Sequence, residues 1–302
     1  MSKAIIFLTI LSLLCVLSTQ YDAAVATKMA KASFATYCAA DRLEDMKCGA
    51  NCNSLKGYTF TKQVRSAISW AESLTFSTFV NNDEKRVIIA FRGTNTPAQL
   101  VSELGLSAGV NFGLCGNVQN AKALKYFYDG YNNQLRNSLL AQVRELVKSF
   151  AGYSFYITGH SLGGALGTIA ALDLSCNGIV SKDQLHLYTF GSPRVGDVNL
   201  AKAVMNAVSE HWRVVHDKDI VPHVPPCKKN AFGQCTSDNL GSDGFLGAVN
   251  YAWHLGNEVF YNQDFSSFKI CSNAEDSSCS NQVVFTSVFD HLNYLGTVQS
   301  CY

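Results

Sequence analysis

The residues Gly159-His160-Ser161-Leu162-Gly163 fit the pattern G-x-S-x-G. A serine hydroxyl is a weak nucleophile near neutral pH and attacks a carbonyl only when a neighbouring base takes its proton. That base is usually a histidine, oriented by a carboxylate that also stabilises the imidazolium. When such a serine sits on a strand-to-helix elbow, the acid and then the histidine follow it along the chain. The downstream histidines are His186, His211, His216, His223, His254 and His291, and the carboxylates include Asp197, Asp217, Asp219, Asp243 and Asp264. Spacing does not choose among them. In "HDKDIVPHVPP", Asp219 precedes the apolar Ile220-Val221-Pro222, which suits a partly buried carboxylate, whereas Asp217 reads as a solvated loop residue. His291, in "FDHLNYLG", lies near the C-terminus, where a late loop can reach back to the serine.

An elbow needs a strand before the serine and a helix after it. Residues 154–158 are apolar and rich in β-formers, and residues 162–174 carry a helical pattern. Crowding by Gly159, Gly163, Gly164 and Ala165 suits a tight turn with the helix packed close beneath it. The helix would then start at the serine, with its unpaired N–H groups and positive dipole end facing a developing oxyanion. Further strands are expected at 75–80, 86–91, 186–190, 212–215 and 258–261, and further helices at 138–150 and 198–208. Strands 75–80 and 86–91 flank Asn81-Asn82-Asp83, a hairpin turn. Strands alternating with helices indicate an α/β fold, a mostly parallel sheet covered on both faces. No repeat, charge block or low-complexity linker divides residues 21–302, which are read as one domain. The Gly-, Ser-, Asn- and Leu-rich segment 95–116 interrupts the alternation and reads either as a surface loop or as a mobile cover.

Composition narrows the setting. Lys plus Arg number 24 against 23 Asp plus Glu, so no basic excess exists to hold a nucleic-acid backbone. Residues 1–20 place one lysine before an uncharged apolar run and end in small polar residues, the layout of a secretory signal peptide. The run is shorter than the roughly 20 residues of a spanning helix, and no other segment is long and apolar enough, so no transmembrane segment is expected. Of 11 cysteines, Cys15 falls in the signal, leaving an even set that reads as disulfides in an exported chain. A zinc site is the competing reading, but paired C-x-x-C or helically spaced histidines are absent from the sequence. Cys227 with Cys235 and Cys271 with Cys279 are close enough in sequence to staple loops. The destination is secreted or lumenal, including a lysosome-like vesicle.

Four stretches in order, "GHSLGGALG", "TFGSPRVGD", "RVVHDKDIVPHVPP" and "FTSVFDHLNYLG", resemble the class 3 lipase family of fungal triacylglycerol lipase type, over about Tyr37 to Cys301. The resemblance implies an α/β-hydrolase fold with Ser161 as nucleophile, Asp219 as orienting acid and His291 as general base, and no cofactor or metal. It places Thr94, in "IIAFRGTNT", in the oxyanion hole together with the N–H of Leu162. It makes Asp197 and His254 structural, and it suggests disulfides Cys38–Cys301, Cys48–Cys52 and Cys271–Cys279, with Cys227–Cys235 and Cys115–Cys176 as the remaining pairs. Two departures stand out: "NTPAQLVSELGLSAG" lacks the tryptophan of the family's lid, and the family's "H-x-G-F" reads "LKYFYDGY" here. The implied function is a secreted serine carboxylic-ester hydrolase, a triacylglycerol lipase releasing fatty acids through an acyl-enzyme, with transient contact at a lipid interface. Phospholipase A1 or feruloyl-type esterase activity is the alternative within enzymes, and a non-catalytic lipid-binding protein of lipase fold is the alternative outside them.

Overall fold

Residues 20–66, 73–94, 108–116, 118–236, 252–297 and 301 are described by a computed structural model. The expected signal peptide lies outside them up to residue 19, and so does the expected cover over residues 95–107.

Ten strands form among the described residues: β1 Thr59–Arg65, β2 Thr75–Asn81, β3 Arg86–Phe91, β4 Gly109–Asn111, β5 Lys122–Leu124, β6 Ser154–His160, β7 Leu185–Phe190, β8 Glu210–His216, β9 Glu258–Tyr261 and β10 Phe268–Cys271. Eight of them make one sheet in the order β1-β2-β3-β6-β7-β8-β9-β10, and β4 pairs only with β5. β3, β6, β7, β8 and β9 run parallel, while the β1–β2, β2–β3 and β9–β10 pairings are antiparallel, leaving β1 and β10 at the edges.

The strands' two-residue side-chain period divides the core into two clusters, one on each face of the sheet. On β3, Val87, Ile89 and Phe91 enter one cluster, and Ile88 and Ala90 enter the other. β6 divides the same way, with Phe155 and Ile157 opposite Tyr156; on β7, Leu185 and Leu187 lie opposite Tyr188 and Phe190. A strand apolar on both faces must be covered on both, which is why these read as continuous apolar runs.

The covering helices are α1 Ala23–Ala35, α2 Ala40–Glu44, α3 Gly49–Asn53, α4 Lys125–Gly130, α5 Arg136–Ser149, α6 Leu162–Cys176, α7 Val198–Ala207 and α8 Val288–His291; a π-helical stretch, Tyr131–Leu135, joins α4 to α5. α1 lies on one face, started by Asp22, whose Oδ1 accepts from the N–H groups of Ala24 at 2.8 Å and Val25 at 3.1 Å. α5, α6 and α7 contribute to the core on the other face. α6 is buried from Leu162 through Leu174, as expected of a helix enclosed by other elements. Its last turn holds a buried acid, Asp173, which accepts from Arg136 at 2.9 and 3.0 Å and from the Tyr131 hydroxyl at 2.7 Å.

β1, β10 and α1 were not foreseen in the sequence. β1 is an edge strand of half-exposed polar residues whose alternation is broken by an irregularity between Phe60 and Lys62. α1 is alanine-rich and only weakly amphipathic by residue type, so it carries little periodic signal. Five disulfides form: Cys38–Cys301, Cys48–Cys52, Cys115–Cys176, Cys227–Cys235 and Cys271–Cys279. No described helix is long and apolar enough to cross a membrane.

Candidate active site

Ser161 follows the last residue of β6 and stands immediately before α6, with φ 61° and ψ −129°. A non-glycine residue rarely holds a positive φ, and here the surrounding packing fixes it. The Ser161 N–H donates to Phe190 O on the neighbouring strand at 2.9 Å, and Gly164 N–H donates to Ser161 O at 2.9 Å. Beneath the turn, a Cβ on Gly159 would lie 2.1 Å from Gly163 O, and one on Gly163 would lie 2.2 Å from Phe91 O. Those contacts are shorter than any side chain tolerates, so the small residues are required by close approach of backbone to backbone.

Asp219 lies three residues beyond β8, and His291 ends α8; both side chains are fully buried. His291 Nδ1 is 2.9 Å from each carboxylate oxygen of Asp219. Asp219 also accepts from the Val221 N–H at 2.8 Å and from the Tyr294 hydroxyl. Burial alone would raise this carboxyl. The nearby His291, its hydrogen bond, the Tyr294 hydroxyl and the Val221 N–H together outweigh burial and hold it below the usual carboxylate range. Segment 284–291 is drawn to the acid by backbone pairing, because Ser287 N–H donates to Lys218 O at 2.6 Å and Ile220 N–H to Ser287 O at 3.3 Å.

Two buried atoms of this group have no hydrogen-bond partner among the described residues, Ser161 Oγ and His291 Nε2. With Nδ1 engaged by Asp219, His291 presents Nε2 as the nitrogen able to accept a proton. Ser161 Oγ and His291 Nε2 are therefore both unengaged, and a hydroxyl and an imidazole so placed often draw together only around a ligand. Gly191, at φ 54°, makes room for the cluster: a Cβ there would meet Asp219 Oδ2 at 2.5 Å and both His291 Nδ1 and the Tyr294 hydroxyl at 2.9 Å.

The segment after β3 supplies the other wall. A Cβ at Gly93 would lie 2.9 Å from Ser161 Cβ, so the segment that carries buried Thr94 lies against the Ser161 turn. Leu162 is the first residue of α6, where the N–H groups have no partner within the helix. Ser161 is thus flanked by the N-terminus of α6, where negative charge is favoured, and by the segment that carries Thr94.

Three supporting residues were not singled out from the sequence. Tyr294, fully buried, donates to Asp219 and accepts the His216 N–H at 3.2 Å. His160 lies under His291, ring centroids 4.4 Å apart. Its Nε2 is 2.8 Å from His291 O and its Nδ1 is 3.0 Å from the Tyr37 hydroxyl. The tautomer that satisfies both donates from Nε2 to the carbonyl and accepts at Nδ1 from Tyr37. Burial, with His291 adding to it, pushes His160 down to about 3, so it remains neutral at ordinary pH. Within the sequence, only its place inside G-x-S-x-G marked His160.

The remaining candidates lie elsewhere. His186 stacks on Tyr156 and is 3.2 Å from Glu210; His211 is pushed down to about 4 by burial and by Arg213. His216 stacks on Phe265 and places its two ring nitrogens 2.9 Å from Asp290 O and 3.0 Å from Gln263 O. His223 is lowered by burial and by Arg194. His254 is buried with Nε2 2.7 Å from Pro222 O, and Asp197 caps α7 by accepting from Leu200 N–H at 2.8 Å. Asp217 is a half-buried turn residue at φ 33°, Asp264 is exposed and bonded to Ser266, and Asp243 lies outside the described residues. Cys227, Cys235 and Glu275 come together, but the two thiols are joined and the carboxylate pairs with Arg194.

Residues 88–229 match the family model "Lipase (class 3)". A lipase from Rhizomucor miehei is 36% identical over 218 residues, covering 71% of this chain and 53% of that protein. A Fusarium solani protein described as "Secreted mono- and diacylglycerol lipase 1" is 26% identical, covering 73% of this chain and 60% of its own length. The chain spans about half the length of the curated relatives it matches first. Among solved structures, one titled as a serine protease triad forming the catalytic centre of a triacylglycerol lipase superposes with TM-score 0.72 at 30% identity, covering 90% of this chain and 93% of that one.

Proposed function

We propose that this chain, which belongs to the class 3 lipase family, is a serine carboxylic-ester hydrolase acting on acylglycerols, most simply a triacylglycerol lipase. The observation that carries the reading is the buried Ser161, Asp219 and His291 set, in which Asp219 engages Nδ1 of His291 while Nε2 and Ser161 Oγ stay unpaired. In this reading His291 Nε2 takes the proton of Ser161 as Oγ attacks the ester carbonyl. Asp219 holds the ring and stabilises the imidazolium. The developing oxyanion is met by the N–H of Leu162 and by Thr94, each such donor contributing about 2.7–4 kcal/mol to the transition state. His291 then protonates the leaving alcohol, and water, activated by the same nitrogen, releases the fatty acid.

Acylglycerol as substrate is supported by the relatives' descriptions, and secretion by the five disulfides together with a relative described as secreted. We read residues 1–20 as a signal peptide and 21–302 as one catalytic domain on the same grounds.

Hydrolysis of p-nitrophenyl butyrate by Ser161→Ala should fall by at least about a thousandfold, in line with removal of a nucleophile from a triad. Retained turnover in that variant would overturn the mechanism. Comparing rates on triolein emulsion, phosphatidylcholine and methyl ferulate then decides the ester, and a preference for either of the last two would replace acylglycerol as substrate.

A further inference from the structure

Four large apolar side chains among the described residues are about four-fifths exposed or more: Phe232 at 88%, Val284 at 82%, Phe285 at 81% and Phe289 at 79%. All four lie in two segments, the loop after Asp219 and the stretch before His291. The two segments adjoin, since Lys229, Phe232, Gln282 and Val283 line one surface cavity.

The loop is built to hold Phe232 outward. The Cys227–Cys235 disulfide closes it, Lys229 pairs with Cys235 as an antiparallel bridge, and Thr236 N–H donates to Lys228 O at 2.8 Å. At the tip, Asn230 Oδ1 accepts from the N–H groups of Phe232 at 2.9 Å and Gln234 at 3.0 Å, and Gly233 turns the chain at φ 77°. The base rests on buried Arg194, which donates to Pro225 O at 3.0 Å and pairs with Glu275 at 2.8 Å. A rigid finger with an uncovered phenyl ring at its tip has little ordering entropy left to lose on contact.

Charge selects the partner. Residues 226–236 contain Lys228 and Lys229 and no acid, and residues 281–289 contain no charge at all. Among the described residues, the acids beside these segments are engaged: Glu275 with Arg194, Asp276 with the N–H and hydroxyl of Ser278, and Asp290 with the Lys218 N–H. Isolated apolar tips on two loops, with lysines beside one of them, fit a lipid–water interface bearing anionic headgroups better than a flat protein partner.

We propose that the Cys227–Cys235 finger anchors the protein to anionic lipid surfaces, with Phe232 entering the acyl layer and Lys228 and Lys229 meeting headgroups. Docking there, alongside Val284, Phe285 and Phe289, turns the loops that carry Asp219 and His291 toward the lipid. The proposal deepens the ester-hydrolase reading and rests on it for the purpose of the contact, but binding is measured separately from turnover.

The test uses the full chain in a Ser161→Ala background, so that vesicles are not consumed, and measures partitioning to phosphatidylglycerol–phosphatidylcholine and pure phosphatidylcholine vesicles. Phe232→Ser should weaken binding to the anionic vesicles about tenfold or more. Lys228→Gln and Lys229→Gln should each weaken it about fivefold and together remove the preference for anionic lipid. With Ser161 intact, the same three substitutions should leave hydrolysis of a dissolved p-nitrophenyl ester unchanged, which reports an intact fold and site. Unchanged vesicle binding in Phe232→Ser, or equal binding of the wild-type finger to both vesicle types, would overturn the proposal. A dimer in sedimentation that Phe232→Ser converts to monomer would also overturn it, assigning the finger to a second copy of the chain. Loss of soluble-ester hydrolysis in Ser161→Ala with the binding pattern intact supports both readings, and its persistence refutes the catalytic reading alone.

Discussion

Tyr294→Phe removes one oxygen from the centre of the site and keeps the ring. That oxygen donates to Asp219 and accepts the His216 N–H at 3.2 Å, and it is inaccessible to water. A hydrogen bond to a charged group contributes about 1.5–3 kcal/mol to stability. The change also leaves the buried His216 N–H without this partner, so the variant should be less stable by at least about 1.5–3 kcal/mol at neutral pH. The sign with pH follows from Asp219, whose carboxyl is held below its ordinary value in the folded chain. Its contribution is fully present above the unfolded-state value and is lost as pH falls through the lower folded-state value. The stability gap between wild type and Tyr294→Phe should therefore be widest at neutral pH and narrow in acid, as the carboxylate that the hydroxyl serves becomes protonated. Chemical denaturation at a series of pH values reads this directly, and kcat/KM for a soluble ester should lose its acid limb at a higher pH in the variant. A gap that stays constant down to acid pH, together with superimposable kcat/KM profiles, would refute the reasoning. The tyrosine would then be filling space without serving the carboxylate.

Gly191→Ala should abolish ester hydrolysis, because its Cβ would fall 2.5 Å from Asp219 Oδ2 at a backbone φ of 54° that alanine also disfavours; wild-type kcat in this variant would contradict the geometry. His160→Phe should lower kcat about tenfold or more with KM little changed, since it deletes the bond that holds the His291 carbonyl rather than a substrate contact. His160 is pushed down to about 3 by burial, so the wild type should lose stability as pH falls below the ordinary histidine range toward that value. His160→Phe should flatten part of that loss, and an unchanged stability profile would show that His160 does not hold the proton-free state.

The parallel strands were legible because burial on both faces demands mainly apolar residues on both, as in 87–91 and 155–157. The β2–β3 hairpin, whose turn falls at 82–85 with Asn81 still paired to Arg86 in the strand, and the elbow at Ser161 were legible because turn chemistry is local. β1 was hidden by exposure at an edge, and α1 by small residues that pack without strong periodicity. The acid and the base were narrowed by context but chosen only through resemblance, since chain spacing carries no information about which loops converge. Tyr294 and Tyr37 had no signal at all, because each acts through a hydroxyl brought in from a distant element.

The sequence by itself determined the turn at Ser161, whose small residues and flanking strand and helix lie within a few positions of it. It also determined the alternation that makes a covered parallel sheet. Tertiary structure showed directly that His291 meets Asp219, a pair the sequence reached only through resemblance, and it alone decided how His160 comes to sit beneath His291 and why Gly191 must lack a side chain. Those relations join residues tens to more than a hundred positions apart, for example His160 and His291, separated by 131. Their distances are set by sheet order and loop closure, and no local pattern of residue types encodes them.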